Sequence, residues 1–371
     1  MSREICVVTG IFPPESGGPA KFALTFSQWL VKNKHLVSVL TLTDGPTTSY
    51  ELNGFMVRRI TRNMKLPLRY LKTIFEIRKN SHSGKIILAN GCFLETGFAF
   101  LGSKSKYITK VPGDIVWERA INNGMTKVGI LEFQKLRLPF KYRVFRYLFS
   151  LALKRSTYVI VPSNELKELC IGWGVKPEQI KVVYNSVSLD TFFPNKEIEK
   201  VFDLVTVARL VPWKGVGEIV QCAATYSLKL AVVGDGPQLI ELQNLAQKLR
   251  ADVTFFGNKT QSEMPDILNA ARYFILNSDF EATSYALLEA RACGLVAIAN
   301  AGTGSEEVIR DHIDGLLIQR RTGPDLSECI KEVSHSTFDY NSYSQAAVLR
   351  TSNEFNVDIN FGKILKIALS C

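Results

Sequence analysis

Three segments of this 371-residue chain combine residue types that could act on a phosphorylated sugar derivative. In Val207-Ala-Arg-Leu-Val-Pro-Trp-Lys-Gly215, Arg209 stands at the end of an apolar run, and Lys214 follows across a turn set by Pro212 and Gly215. Two cations converging on one loop can clamp a diphosphate and stabilise the charge that develops as it leaves. In Asp279-Phe-Glu-Ala-Thr-Ser-Tyr-Ala-Leu-Leu-Glu-Ala-Arg-Ala-Cys-Gly294, Thr283 or Ser284 can cap a helix that Gly294 ends. Glu281 then precedes the helix and Glu289 lies inside it. Helical side chains tilt toward the N-terminus, so both carboxylates can face one pocket with the free amides of the first turn, around Ser284 and Tyr285. Carboxylates accept strong hydrogen bonds from sugar hydroxyls, and the amides suit phosphate. In Ser16-Gly17-Gly18-Pro19, the paired glycines let backbone approach a ligand at a helix start. Taken singly, each segment also reads as a turn, a surface charge pair or a capped helix.

The elements that would position these residues alternate. Ile5–Thr9 is a β-branched run, a helical pattern through Phe22, Phe26, Trp29 and Leu30 follows the glycine loop, and Val37–Leu42 is a second strand. That βαβ unit implies a parallel sheet. Strand signals continue at Lys85–Leu88, Tyr107–Lys110, Thr157–Val161 and Lys181–Val183, with a helix from Asn164 to Ile171. The series restarts at Asp203–Val207, Lys229–Val233, Asp252–Phe256, Tyr273–Leu276 and Leu295–Ala299, each run followed by a helical segment. Two alternating series predict two doubly wound domains, joined near Asn185–Glu199. The last helical segment covers about Tyr343 to Leu369. In such sheets ligands sit beyond the carboxyl ends of the strands, where all three segments fall.

Composition narrows the class. The net charge of +10 is uneven: through Asn195 there are 28 Lys+Arg against 13 Asp+Glu, and from Lys196 onward 17 against 22. The basic half suggests a polyanionic partner. Arg58–Lys79 and Lys135–Arg155 interleave cations with aromatics and leucines, as amphipathic helices at an anionic membrane surface do, or as surface helices packed on their own domain. A nucleic-acid partner is not expected, since no recognition module stands out. Seven scattered cysteines without a Cys-x-x-Cys pair indicate reduced thiols and no zinc site, and the start of the chain lacks a secretory pattern; both favour a cytoplasmic location. No apolar run reaches the ~18 residues that span a bilayer.

In this order and spacing, the segments resemble the retaining glycosyltransferases of family GT4, which have the GT-B fold. The stretches that carry the likeness are Gly17-Gly18, Val161-Pro-Ser163, Val183-Tyr-Asn185, Ala208–Gly215, Val232-Val-Gly-Asp-Gly-Pro237, Phe255-Phe-Gly257, Glu281 to Glu289, and Gly304-Ser-Glu-Glu-Val308. The resemblance implies an α/β architecture of two Rossmann-like domains facing across a cleft. An N-terminal acceptor domain would span 1–190, with about 350–371 crossing back to it, and a nucleotide-sugar domain 196–345. It implies transfer of a sugar from a nucleoside-diphosphate donor to a saccharide or lipid-linked acceptor, with no cofactor and no obligatory metal. Arg209 and Lys214 would hold the diphosphate, Glu281 the donor sugar, and Glu289 the ribose hydroxyls. Gly17 and Gly18 would meet the phosphates, and backbone at Gly257 and Asn258 the nucleobase. Where many relatives place a histidine, this chain reads Lys110-Val-Pro-Gly-Asp114, which makes Asp114, with Glu118 nearby, the candidate for sugar contact. Ala282 replaces the usual glycine and narrows the space beside the donor. The alternatives are a nucleotide-sugar 2-epimerase of the same fold and a non-catalytic sugar-nucleotide or polyanion binder. An NAD-dependent oxidoreductase lacks its fingerprint here. The basic domain favours an enzyme peripheral on the inner face of the cell membrane, in cell-envelope polysaccharide or glycolipid synthesis.

Overall fold

A computed structural model describes residues 4–15, 17–319 and 325–371. Its contacts divide the chain into two compact units, Met1–Val183 with Phe361–Cys371, and Tyr184–Asn360.

The first unit contains strands β1 (Ile5–Thr9), β2 (Val37–Thr43), β3 (Thr48–Leu52), β4 (Phe55–Thr61), β5 (Ile86–Ala89), β6 (Tyr107–Lys110), β7 (Tyr158–Val161) and β8 (Ile180–Val182). Its helices are α1 (Gly18–Lys32), α2 (Leu66–His82), α3 (Phe93–Ala99), α4 (Ile115–Asn122), α5 (Ile130–Phe133), α6 (Phe140–Arg155) and α7 (Asn164–Gly172). The sheet order is β3-β4-β2-β1-β5-β6-β7-β8, and only the β3–β4 pair is antiparallel. Strands β1 and β2 are buried along their whole length, as parallel strands covered on both faces must be. One face packs Cys6, Val8, Leu40, Ile60, Ile87 and Tyr107 against Ile77 of α2 and Phe100. Strand order reverses between β1 and β5. There the chains come so close that a Cβ on Gly91 would stand 2.5 Å from the Gly10 amide nitrogen.

The region Arg58–Lys79, read above as one basic amphipathic helix, is two elements: β4 and, after a turn, α2. Arg62, in that turn, is engaged locally. It donates to the Glu15 carboxylate at 2.7 Å and to the Gly10 carbonyl at 2.6 Å, while Arg59 donates to the Pro13 carbonyl. These arginines brace the loop that leads to Gly17. Similarly, the helix within Lys135–Arg155 starts only at Phe140, after Pro139.

The second unit contains β9 (Phe202–Val207), β10 (Leu230–Val233), β11 (Val253–Gly257), β12 (Ala271–Leu276), β13 (Val296–Asn300) and β14 (Gly315–Ile318). Its helices are α8 (Val216–Thr225), α9 (Leu239–Leu249), α10 (Met264–Asn269), α11 (Tyr285–Ala292), α12 (Leu326–Val333) and α13 (Tyr340–Glu354). All pairings are parallel, in the order β11-β10-β9-β12-β13-β14. Alternation along each strand divides the core into two layers. Val205, Phe274 and Ala297 face α11, while their neighbours Leu204, Ile275 and Ile298 face α8 and α12.

The predicted last helix is two, α13 and α14 (Val357–Leu369). The residues that group with the first unit begin at Phe361, not near 350. Phe361 sets its ring edge-on to Phe22, Phe26 and Trp29 of α1, with centroids 5.9, 5.2 and 5.9 Å apart.

Candidate active site

In the second unit the strand order reverses between β9 and β12, so the loops leaving these neighbouring strands flank a crevice at the carboxyl edge of the sheet. Two of the three predicted chemical segments include these loops. The first leaves β9 at Ala208 and closes in a 3₁₀ turn, Pro212–Lys214, before Gly215. Gly215 has φ +60°, and a Cβ there would lie 2.5 Å from both the side-chain nitrogen and the carbonyl oxygen of Asn277. Only glycine permits that approach, and the two loops are then stitched together. The Asn277 amide donates to the Gly215 carbonyl (3.1 Å) and to the Glu218 carboxylate (2.6 Å), and the Asp279 backbone N–H donates to the Trp213 carbonyl (2.9 Å).

The consequence is direct contact between two predicted residues: the Lys214 ammonium donates to the Glu281 carboxylate. Their side chains are 19% and 14% exposed, so the pair is largely sheltered yet reachable. Arg209 is exposed, and among the described residues no ion-pair partner holds it. Ser284 caps α11 by accepting from the Leu287 backbone N–H, which leaves Tyr285 as the first helical residue. Glu289, one turn further on, is buried and accepts from the Gln261 side-chain amide at 3.1 Å. Gln261 belongs to the loop after β11, so Gly257 and Asn258 are brought toward the same helix. Gly257 has φ +63° with open space about it, and Asn258 is exposed. Burial pushes the Tyr285 phenol far above its usual range, and the nearby Glu289 carboxylate adds to this.

Two further glycine segments fix these loops from behind. A Cβ on Gly234 would stand 2.0 Å from the Ala208 carbonyl, and one on Gly236 2.4 Å from that of Leu210. A Cβ on Gly304 would fall 1.4 Å from the Ala282 carbonyl, and the Gly304 backbone N–H donates to the Glu281 carbonyl at 2.7 Å. The backbone bearing Glu281 thus rests on Gly304, while the Asn185 side chain donates to the Thr283 carbonyl at 2.7 Å. Reading the sequence missed Asn277, Glu218 and Gln261 as supports. Gly215 carried the one legible signal, a glycine directly after a cation in a turn.

Gly17, Gly18 and Asp114 belong to the first unit. Gly17 (φ +140°) precedes α1, and both glycines are exposed. Asp114 does not fit the sugar-contact role expected of it. Its side chain is fully buried, caps α4 by accepting from the Val116 and Trp117 backbone N–H groups (2.9 and 3.1 Å), and also accepts from Gln134 (3.0 Å) and Arg146 (2.6 Å). With both oxygens occupied and no exposed surface, it holds α4, α5 and α6 together instead. Glu118 is exposed in the first turn of α4.

Among the described residues, no group of three or more His, Cys, Asp or Glu side chains is arranged to hold a metal ion. No described helix is long and apolar enough to cross a membrane.

Residues 188–349 match the family profile described as Glycosyl transferases group 1, and residues 117–191 match Glycosyltransferase Family 4. The chain is 26% identical over 379 residues to the Escherichia coli UDP-Gal:alpha-D-GlcNAc-diphosphoundecaprenol alpha-1,3-galactosyltransferase, covering 95% of this chain and 93% of that one. It is 24% identical to a subunit of the Arabidopsis thaliana phosphatidylinositol N-acetylglucosaminyltransferase, covering 83% of this chain and 69% of the relative. Among solved structures, Anabaena HepE in complex with UDP and glucose superposes with a TM-score of 0.79 at 18% identity, covering all of both chains. Sucrose-phosphate synthase from Thermosynechococcus elongatus gives 0.80 at 18% identity, with 98% of each chain covered. The architecture is the GT-B fold. Within it, the chain belongs to the GT4-type glycosyltransferases.

Proposed function

We propose that the protein is a retaining glycosyltransferase that moves a sugar from a UDP-sugar to a hydroxyl of a lipid-linked or saccharide acceptor, in cell-envelope polysaccharide or glycolipid synthesis. The carrying observation is the Lys214–Glu281 ion pair at the strand-order reversal of the second sheet, beside the capped start of α11. In the free protein Lys214 neutralises Glu281. When donor binds, the ammonium moves with Arg209 onto the diphosphate, and the carboxylate turns to the sugar hydroxyls. Glu289, fixed by Gln261, takes the ribose. Backbone near Gly257 and Asn258 meets the base, and amides at Ser284 and Tyr285 are assigned to phosphate.

The acceptor oxygen attacks the anomeric carbon on the face from which the diphosphate departs. The carbon–oxygen bond to phosphate breaks, the bond to acceptor forms, and the acceptor proton passes to a phosphate oxygen. No strong protein base is needed, and the two cations supply the charge that a divalent metal would otherwise provide. The choice of UDP and of a lipid-linked acceptor follows what the E. coli relative and HepE are named for. In this role the enzyme works in the cytoplasm, peripheral on the membrane.

A thermal-shift panel of nucleotide sugars tests the donor, because a ligand that binds only the folded state raises the melting temperature. Product analysis with and without acceptor then separates transfer from 2-epimerisation. Stabilisation by a nucleotide sugar without acceptor-dependent turnover would refute the transferase assignment.

A further inference from the structure

Two helices of the first unit carry apolar stripes with nothing over them among the described residues. On α2, Leu68, Leu71 and Phe75 recur at i, i+3 and i+7 and are 57, 62 and 67% exposed. On α6, Phe140, Val144 and Tyr147 recur at i, i+4 and i+7 and are 77, 40 and 67% exposed. These spacings place each set on one helical face. Monomeric soluble proteins seldom leave such sets uncovered without use.

The fold aligns the two stripes. Helices α2 and α6 lead into β5 and β7, which are parallel strands of one sheet, and α3 packs against both helices. They therefore lie on the same sheet face, point the same way and flank α3, about 16–20 Å apart by ordinary helix spacing. Both stripes begin within the first three residues of their helices and reach about to mid-helix, so both lie toward the carboxyl edge of this sheet, the edge from which the Gly17 loop leaves β1.

The surroundings are cationic. Helix α6 holds five Lys or Arg and no carboxylate, and α2 holds four and one. Beside α6 lies a cavity of about 740 Å³ walled by Leu136, Arg137, Arg143, Arg146, Tyr147 and Trp173. Tyr147 therefore belongs to both the stripe and the cavity wall. Arg146 donates one edge to Asp114 and stacks over the Trp173 ring at 4.8 Å, while its Nη1 is buried without a hydrogen-bond partner. A buried guanidinium nitrogen with an unused donor suits a phosphate oxygen.

We propose that this α2–α6 face docks on an anionic bilayer, with the apolar stripes entering the boundary between headgroups and acyl chains and a lipid phosphate entering the cavity beside α6. A second copy of the chain would have to meet an equally cationic surface, which like-charge repulsion opposes. The inference rests on the transferase reading with a lipid-linked acceptor, and it names the face that meets the membrane.

Co-sedimentation of the full chain, without donor or acceptor, tests it against phosphatidylcholine vesicles with and without phosphatidylglycerol. Binding is expected only to the anionic vesicles at about 0.1 M salt, falling as salt shortens the screening length. Phe140→Ser with Tyr147→Ser, and separately Arg137→Glu with Arg143→Glu, should each lower partitioning at least tenfold while melting temperature and transfer to a water-soluble acceptor hold. Equal binding to neutral vesicles, no binding at low salt, or unchanged partitioning of both folded double variants would overturn the proposal, as would a dimer that both variants dissociate. Vesicle binding without any sugar transfer refutes the functional reading and leaves this surface standing. Transfer to a soluble acceptor without vesicle binding does the reverse.

Discussion

Replacing Lys214 by Met and Glu281 by Gln separates the two duties assigned to their ion pair. Each side chain is more than four-fifths sheltered, so removing one partner leaves the other a largely desolvated charge. Residual exposure discounts the penalty expected for a fully buried pair, to about 1–2 kcal/mol. For a unit of this size that lowers the melting temperature by roughly 2–8 °C for either variant. Ligand binding should part the two. Lys214→Met removes a charge-assisted hydrogen bond to the diphosphate, worth about 1.5–3 kcal/mol, so the Kd for UDP should rise roughly 10- to 150-fold. Glu281→Gln instead frees the ammonium from its resting partner, so UDP should bind as tightly as to the parent or tighter. Transfer should suffer in both. Loss of a preorganised contact at the developing charge lowers kcat/KM by about two to three powers of ten for Lys214→Met. Glu281→Gln should lose turnover without losing UDP. Isothermal titration with UDP, run beside a transfer assay, reads all of this. If Lys214→Met bound UDP normally, or kept near-parental turnover, the clamp would be wrong. Equal weakening of UDP by both variants would show that the pair merely holds the loops in shape.

Gly304→Ala should melt several degrees lower and lose donor affinity, because its Cβ would overlap the Ala282 carbonyl and displace Glu281; Gly257→Ala, with open space around it, should cost only about 1–2 kcal/mol of backbone strain. Differential scanning fluorimetry ranks the two, and equal melting temperatures would refute the packing argument. Asp114→Asn should cost about 3 kcal/mol or more by stranding Arg146, a fall of about 6–12 °C, yet keep kcat in the folded fraction; a stable variant with collapsed kcat would restore Asp114 to the sugar. Lys110, buried with its ammonium 4.4 Å from the centre of the Phe22 ring, has its pKa pulled by burial from 10.5 down to about 7. Between those values the unfolded chain holds the proton and the folded chain releases it. Stability should therefore rise with pH above about 7, by up to about 1.4 kcal/mol per unit for this proton. Buried thiols such as Cys6, pushed up to about 12, act in the opposite sense above pH 9, so melts between pH 7 and 8.5 are the clean test. Lys110→Met should flatten that slope. Transfer should persist in EDTA, and activity lost to EDTA and recovered with Mg²⁺ or Mn²⁺ would contradict the metal-free reading.

Local patterning by itself determined the alternation of strands and helices, because the apolar runs and helical spacings are set by neighbours within a few residues. It likewise placed Arg209, Lys214 and Glu281 on loops and Glu289 inside the capped helix, since Pro212, Gly215 and the Ser284 cap act over one turn. Strand order, by contrast, depends on contacts between residues far apart in the chain. Only the tertiary structure decided that β9 and β12 are neighbours, so that Lys214 meets Glu281 across 67 positions. The same distance dependence hid Gly304 beneath Glu281 and turned Arg59 and Arg62 from helix charges into braces of the glycine loop. Asp114 shows the limit most plainly: its type and loop position suited a sugar, but burial and four donors from three helices and their loops were decided by packing that no short window contains.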